Sequence, residues 1–138
     1  MTPMKPCGVR VLGTGSAVPE YVLDNEELAK EHGVEPEWIE QRTGIIERRI
    51  CNEDEGTFEL QCRALKAALQ DTGLKGSDLS LIICASVTSE MMCPSNACRV
   101  AAEVNAKPAG AFDLVAACCG FVYAMNVADS LIRSGFYK

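Results

Sequence analysis

The chain has 138 residues, 48% of them apolar and 23% charged, values that suit one folded domain and exclude a disordered segment. Its net charge of −6 excludes a basic face that tracks a phosphate backbone, so no nucleic-acid partner is expected. No stretch approaches the ~20 clean apolar residues of a membrane span, and the N-terminus lacks the apolar centre of a secretory leader. A soluble, reduced, cytoplasmic chain with no membrane partner is the expectation.

Residues 9–12 form a short apolar run that reads as a strand, opening into Gly13-Thr-Gly15-Ser-Ala-Val-Pro19. Strand followed by G-x-G invites a dinucleotide-binding reading, but the third glycine of that fingerprint would fall on Val18, with Pro19 next. The fingerprint fails. Asp24 or Asn25 can cap a helix ending near Gly33, and Pro36 suits the first turn of another that stops at Gly44. Gly56 and Thr57 open a longer helix with Phe58, Cys62, Leu65 and Leu69 on one side, closing around Gly73. Residues 79–87 are a continuous apolar run of strand length, the pattern of a strand buried on both faces. Residues 94–104 read as a helix with Val100 and Val104 together, 111–116 as another buried strand, and 120–133 as a helix ending at Gly135. Strands separated by helical crossovers predict an α/β fold with a mostly parallel sheet.

The eight cysteines lack the C-x-x-C spacing of a structural zinc site, so no metal is expected. His32, the sole histidine, reads as a cation at a helix end. Cys62 and Cys84 sit among apolar neighbours and read as small core fillers.

The densest chemical signal is Ala111-Phe-Asp-Leu-Val-Ala-Ala-Cys-Cys-Gly-Phe-Val-Tyr123. A buried strand runs into Cys118 and then into a helix, where unpaired N–H groups and the helix dipole favour a thiolate. Such a thiol is a nucleophile for acyl transfer. The helix that follows is apolar nearly all round, which predicts that it is buried and that the thiol closes a tunnel. The alternative is that Cys118 and Cys119 are merely small residues that allow close packing. The residues alone leave the two readings level.

The segment Phe112-Asp113-Leu-Val-Ala-Ala-Cys118-Cys-Gly120-Phe121 resembles the nucleophile segment of β-ketoacyl-acyl-carrier-protein synthase III, in the thiolase-like superfamily. Leu12-Gly-Thr-Gly-Ser-Ala-Val-Pro19 is similar to that family's first strand and turn. Glu37-Trp38-Ile39, Arg42-Thr43-Gly44-Ile45 and Glu47-Arg48 resemble its second signature, and Pro94-Ser95 with Ala97-Cys98 a third. The resemblance implies that residues 1–138 are the N-terminal half-domain of a layered α/β/α/β/α fold whose C-terminal half is absent.

By position, the resemblance makes Cys118 the acyl-accepting nucleophile and Cys119 a bystander. It makes Trp38 and Arg42 the residues holding the nucleotide end of coenzyme A, one by stacking and one by its guanidinium. Arg42, Arg48 and Arg49 would suit that phosphorylated ligand. Cys93 stands where enzymes using acetyl primers carry a bulky aromatic closing the acyl pocket, so primers larger than acetyl are expected unless Met91 or Met92 fills the space. The histidine and asparagine that the resemblance requires for decarboxylation have no counterpart, since His32 lies elsewhere. The implied activity starts fatty-acid synthesis by condensing an acyl-CoA primer with malonyl-acyl carrier protein, in a homodimer when complete and with no cofactor beyond the acyl-CoA substrate. A condensing enzyme of polyketide or specialised lipid synthesis and a non-catalytic partner half-subunit are the alternatives. The acidic net charge is unfavourable for docking an acidic carrier protein on this segment.

Overall fold

The computed structural model describes residues 8–107 and 109–137. Residues 1–7, part of the stretch read above for a leader, and Lys138, at the end of the half-domain, lie outside them. The contacts divide the chain into two compact units, one formed by Val18–Gly56 and the other by Met1–Ala17 with Thr57–Lys138.

The smaller unit is built on two short helices, α1 (Asn25–His32) and α2 (Pro36–Thr43). Their boundaries are those the sequence marks. Asp24 caps α1, accepting from the Glu27 N–H at 2.8 Å, while Gly33 and Gly44 end the two helices at φ of 66° and 70°. That left-handed conformation is one glycine adopts without steric cost. His32 lies exposed in the last turn of α1, as expected. The sequence reading missed the antiparallel pair β1 (Tyr21–Asp24) and β2 (Glu47–Ile50), which frames these helices. Arg48 fastens it, donating to the Leu23 carbonyl at 3.0 Å and to Asn25 Oδ1 at 2.6 Å, and buried Asn25 in turn donates to the Ile45 carbonyl.

The larger unit contains the parallel sheet. Strands β3 (Leu81–Ala85) and β4 (Gly110–Leu114) pair in register from Leu81 opposite Gly110 to Ala85 opposite Leu114. Helices α3 (Thr57–Thr72), α4 (Asn96–Glu103) and α5 (Gly120–Arg133) complete it. The core is Cys62 of α3, Ile82 and Cys84 of β3, and Ala97, Val100 and Ala101 of α4, with Ala106 beyond. The alanines are what let α4 approach the strands closely. Burial pushes the Cys84 thiol up to about 12, with the charge of Asp113 adding to it, so this cysteine is an inert filler as expected.

Three expectations are corrected. Residues 9–12 are not a strand, because a strand exists only through a ladder partner and this segment has none among the described residues. Gly13 and Gly15 instead lie on α3: a Cβ at Gly15 would collide with the backbone of Ala64 and Ala68, and the Thr14 N–H donates to Asp71 Oδ2 at 3.0 Å. Next, β3 is buried on one face only. Ile82 and Cys84 are buried in the core, whereas Leu81, Ile83 and Ala85 are only half-buried, and the strand and α5 together line a hollow of about 670 Å³. Finally, α5 is not buried all round. Only Gly120 is buried, and Phe121, Val122, Tyr123 and Met125 are exposed, Phe121 by 74%, because no element among the described residues covers that face.

Candidate active site

Cys118 is carried by the connection from β4 to α5. Residues Ala117–Cys119 form one 3₁₀ turn, and Ala117 sits at φ 44°, in the left-handed region that alanine rarely adopts. The chain therefore reverses sharply just before Cys118, leaving both Cys118 and Cys119 exposed. The Cys118 side chain makes no hydrogen bond among the described residues. The turn consumes donors that were expected to face the thiol: Cys119 N–H goes to the Ala116 carbonyl at 3.0 Å, and Gly120 N–H to that of Ala117. The expected tunnel does not enclose Cys118 in this chain, since the α5 face beside it is open.

The loop after β3 approaches the ends of the two strands. It contributes Ser86, Val87, Glu90, Met91 and Met92 to a hollow of about 540 Å³ that also meets Asp113 and Val115. Cys93 follows these methionines, exposed and joined to Pro94 by a cis peptide bond, but lines neither this hollow nor the one beside α5.

Acidic residues that the sequence reading passed over hold this loop in place. Glu90 Oε1 accepts from the Phe58 N–H at 2.9 Å, at the start of α3, and Oε2 accepts from Arg99 Nη1 of α4 at 3.0 Å. Arg99 also lies 3.9 Å over the Phe58 ring. Partial burial would raise the Glu90 pKa, but the Phe58 N–H and the Asn96 and Arg99 side chains outweigh it and lower the pKa below the usual range. Asp113 accepts from the Asn96 N–H at 2.9 Å and the Ala97 N–H at 2.8 Å, the first two amides of α4, and from Ser89 Oγ at 3.4 Å. The sequence reading gives Asp113 no role of its own. Its partners lie 16 and 17 residues earlier, beyond any local pattern.

In the smaller unit, Trp38 and Arg42 stand one helical turn apart on α2, on one face and both exposed. Trp38 is 52% exposed, and neither side chain has a hydrogen-bond or ion-pair partner among the described residues. Arg48 and Arg49 differ. Arg48 is bound to Leu23 and Asn25, and Arg49 Nη1 donates to the carbonyls of Pro19 and Glu20, so their first task is to hold the fold. The expectation that they serve a phosphorylated ligand is revised accordingly.

The sequence profile described as 3-oxoacyl-(acyl-carrier-protein) synthase III matches residues 112–138, the stretch holding Asp113, Cys118 and α5. The chain is 44% identical over 128 residues to a β-ketoacyl-(acyl-carrier-protein) synthase III of Caldanaerobacter subterraneus, covering 93% of this chain and 39% of that protein. The crystal structure of 3-oxoacyl-(acyl-carrier-protein) synthase III from Aquifex aeolicus superposes with a TM-score of 0.90 at 45% identity, over 95% of this chain and 42% of the other. A priming β-ketosynthase from a polyketide biosynthetic pathway also superposes with a TM-score of 0.90, at 36% identity, over 94% of this chain and 39% of that one. The chain thus spans about two-fifths of the length of each of these three relatives. Along nearly all of its length the chain is therefore similar, in sequence and in fold, to part of the 3-oxoacyl-(acyl-carrier-protein) synthases III.

Proposed function

We propose that this chain is the N-terminal, nucleophile-bearing part of an enzyme that condenses an acyl-CoA primer with malonyl-acyl carrier protein. The observation that carries the reading is the exposed Cys118 at a sharp strand-to-helix turn, inside the segment matching the family profile. In the first step the Cys118 sulfur attacks the thioester carbonyl of the primer. The acyl group passes to that sulfur, and coenzyme A leaves as its thiol, taking up the proton that Cys118 gives up. In the second step the malonyl group loses carbon dioxide, and the resulting carbanion attacks the acyl-cysteine. A new carbon–carbon bond forms, and the cysteine sulfur leaves and is reprotonated. Polarising the malonyl thioester calls for the histidine and asparagine that family resemblance requires, and His32, exposed at the end of α1, is given no part in it.

Trp38 and Arg42 are proposed to hold the nucleotide end of coenzyme A. An exposed indole and an unoccupied guanidinium on one helix face offer a stacking surface and a phosphate partner together. The bare apolar face of α5 supports assembly with further protein, which we read as the rest of the enzyme in a cytoplasmic homodimer. No cofactor beyond the acyl-CoA substrate enters the scheme.

The test is intact-mass spectrometry of the complete enzyme after incubation with an acyl-CoA. The expected result is one acyl group, lost in Cys118→Ala and retained in Cys119→Ala. Acylation that persists in Cys118→Ala and disappears in Cys119→Ala would overturn the assignment. A second reading, priming of polyketide synthesis, is favoured by the likeness to a priming ketosynthase. A panel of primers separates the two, since the polyketide reading requires preference for longer or branched chains.

A further inference from the structure

We infer that Cys118 and Cys119 are a peroxide-responsive pair, in which the Cys119 thiol captures an oxidised Cys118 sulfur as a disulfide between neighbouring residues. The chemistry needs only the two thiols. Its consequence for catalysis rests on the acyl-transfer reading above.

The cysteines among the described residues fall into two groups. Cys62 and Cys84 are buried, and burial raises both pKa values and keeps the thiols protonated. Cys51, Cys93, Cys98, Cys118 and Cys119 are exposed, and the Cys98 thiol is directed at the Ala111 carbonyl at 3.8 Å. Cys118 and Cys119 are adjacent in sequence, and neither side chain has a hydrogen-bond or ion-pair partner among the described residues. A free, exposed sulfur with a second thiol beside it is the arrangement in which oxidation ends in a disulfide.

Their setting decides whether they can meet. In a strand, successive side chains point to opposite faces and such a pair would be held apart. β4 ends at Leu114, and the two cysteines lie instead in the single 3₁₀ turn Ala117–Cys119, with Cys119 at φ −89° and ψ −4°. A trans peptide sets neighbouring Cα atoms about 3.8 Å apart, whereas a relaxed disulfide spans roughly 4.4–6.8 Å. A bridge here is therefore strained and readily reduced, which suits a passing state and not a structural bond.

Hydrogen peroxide is the oxidant. It is smaller than any acyl thioester, so a site open to the primer is open to it. The Cys118 sulfur, as thiolate, attacks one peroxide oxygen, the O–O bond breaks, hydroxide leaves, and Cys118 becomes a sulfenic acid. The Cys119 sulfur then attacks the Cys118 sulfur. An S–S bond forms, the S–O bond breaks, and the Cys119 proton leaves with the hydroxyl group as water. Two thiols are thus oxidised by two electrons, and one peroxide is reduced to two waters. Because Cys119 is held beside the sulfenic acid, it outruns a second peroxide, which would carry Cys118 on to a sulfinic acid that thiols do not reduce. Acyl transfer stops while the bridge stands and resumes when a thiol reductant opens it.

The experiment treats the complete enzyme with hydrogen peroxide, blocks free thiols with iodoacetamide and digests with trypsin. Residues 100–133 form one tryptic peptide, because Lys107 precedes Pro108, and its only cysteines are Cys118 and Cys119. The expected peptide is lighter by two hydrogen atoms and carries no iodoacetamide label, and dithiothreitol restores both thiols and acylation. In Cys119→Ser the same dose should drive Cys118 to sulfinic acid roughly tenfold faster or more, with no recovery of acylation. Cys119→Ala replaces that variant if it does not fold. Equal rates of overoxidation with and without Cys119 would overturn the inference, as would a Cys118 bridge to another peptide. A loss of two hydrogens that persists in Cys119→Ser would also overturn it, since that marks ring closure on a backbone nitrogen. So would a peptide that keeps both thiols at a dose that oxidises exposed Cys51. If the untreated enzyme takes no acyl group, the acyl-transfer reading fails, and the peptide masses alone decide the inference.

Discussion

Replacing Gly15 by alanine tests why this chain carries a Gly-Thr-Gly turn. The φ of Gly15 is one that any residue adopts, so the cost of a side chain there is purely steric. A Cβ would collide with the carbonyl of Ala64 and the amide of Ala68, and come within 3.0 Å of the Ala67 carbonyl carbon. All three atoms are backbone inside α3, so no side chain can rotate away. The segment must lift from the helix. Overpacking of this kind costs about 1–3 kcal/mol, and losing the Thr14–Asp71 bond adds about 1 kcal/mol. The sum is about 2–4 kcal/mol. For a complete protein of the relatives' length, about two and a half times that of this chain, each kcal/mol is worth roughly 1–2 °C, so the midpoint should fall by roughly 2–8 °C. The assay is thermal unfolding of the complete protein followed by circular dichroism. Gly8→Ala is the reference, since nothing lies within 4 Å of a Cβ there. A Gly15→Ala protein that melts with the native one would refute the packing account and reopen a ligand-binding role for the turn.

Two further outcomes follow from the sites described. Trp38→Ala should raise the dissociation constant for acyl-CoA roughly tenfold or more, by isothermal titration, because an aromatic stacking face is worth about 0.5–1.5 kcal/mol beyond the area it buries; an unchanged affinity would return Trp38 to a surface role. The Glu90 pKa lies below its reference of 4.5, so the folded state binds fewer protons there than the unfolded state, and stability rises with pH through that range. Glu90 therefore stabilises fully above about pH 4.5 and progressively less below it, and Glu90→Gln should flatten the urea-midpoint profile between about pH 3 and 5. A profile as steep as the native one would show that other carboxylates carry it.

Much of the fold is written in short-range signals. Asp24 with Gly33, and Pro36 with Gly44, delimit α1 and α2 because capping and left-handed glycine are chemistry of one turn. The positions of β3 and β4 were legible as apolar runs, although β3 is buried on one face only and β4 carries no buried residue. The failures share a different cause. Residues 9–12 have strand composition, yet a ladder is a property of two segments, and among the described residues β3 pairs with β4 alone. The hidden pair of β1 and β2 is its converse: four residues each, half polar, and held by an arginine reaching 25 residues back. The apolar residues of α5 declare that something should cover it but not what. At the site, the nucleophile position was readable from its motif, whereas Asp113 and Glu90 act through backbone amides distant in sequence, which no spacing encodes.

The left-handed Ala117 restricts what this stretch of gene is free to become. A β-branched side chain at that position would strike its own carbonyl, and larger unbranched ones add to a cost already near 1–2 kcal/mol. Glycine would remove the cost but let the turn relax, loosening the orientation of the next residue. Alanine is thus a compromise between steric tolerance and stiffness, and a saturation library at this codon should be sparsely populated. The alanine before the thiol records the shape of the bend as much as the chemistry that follows it.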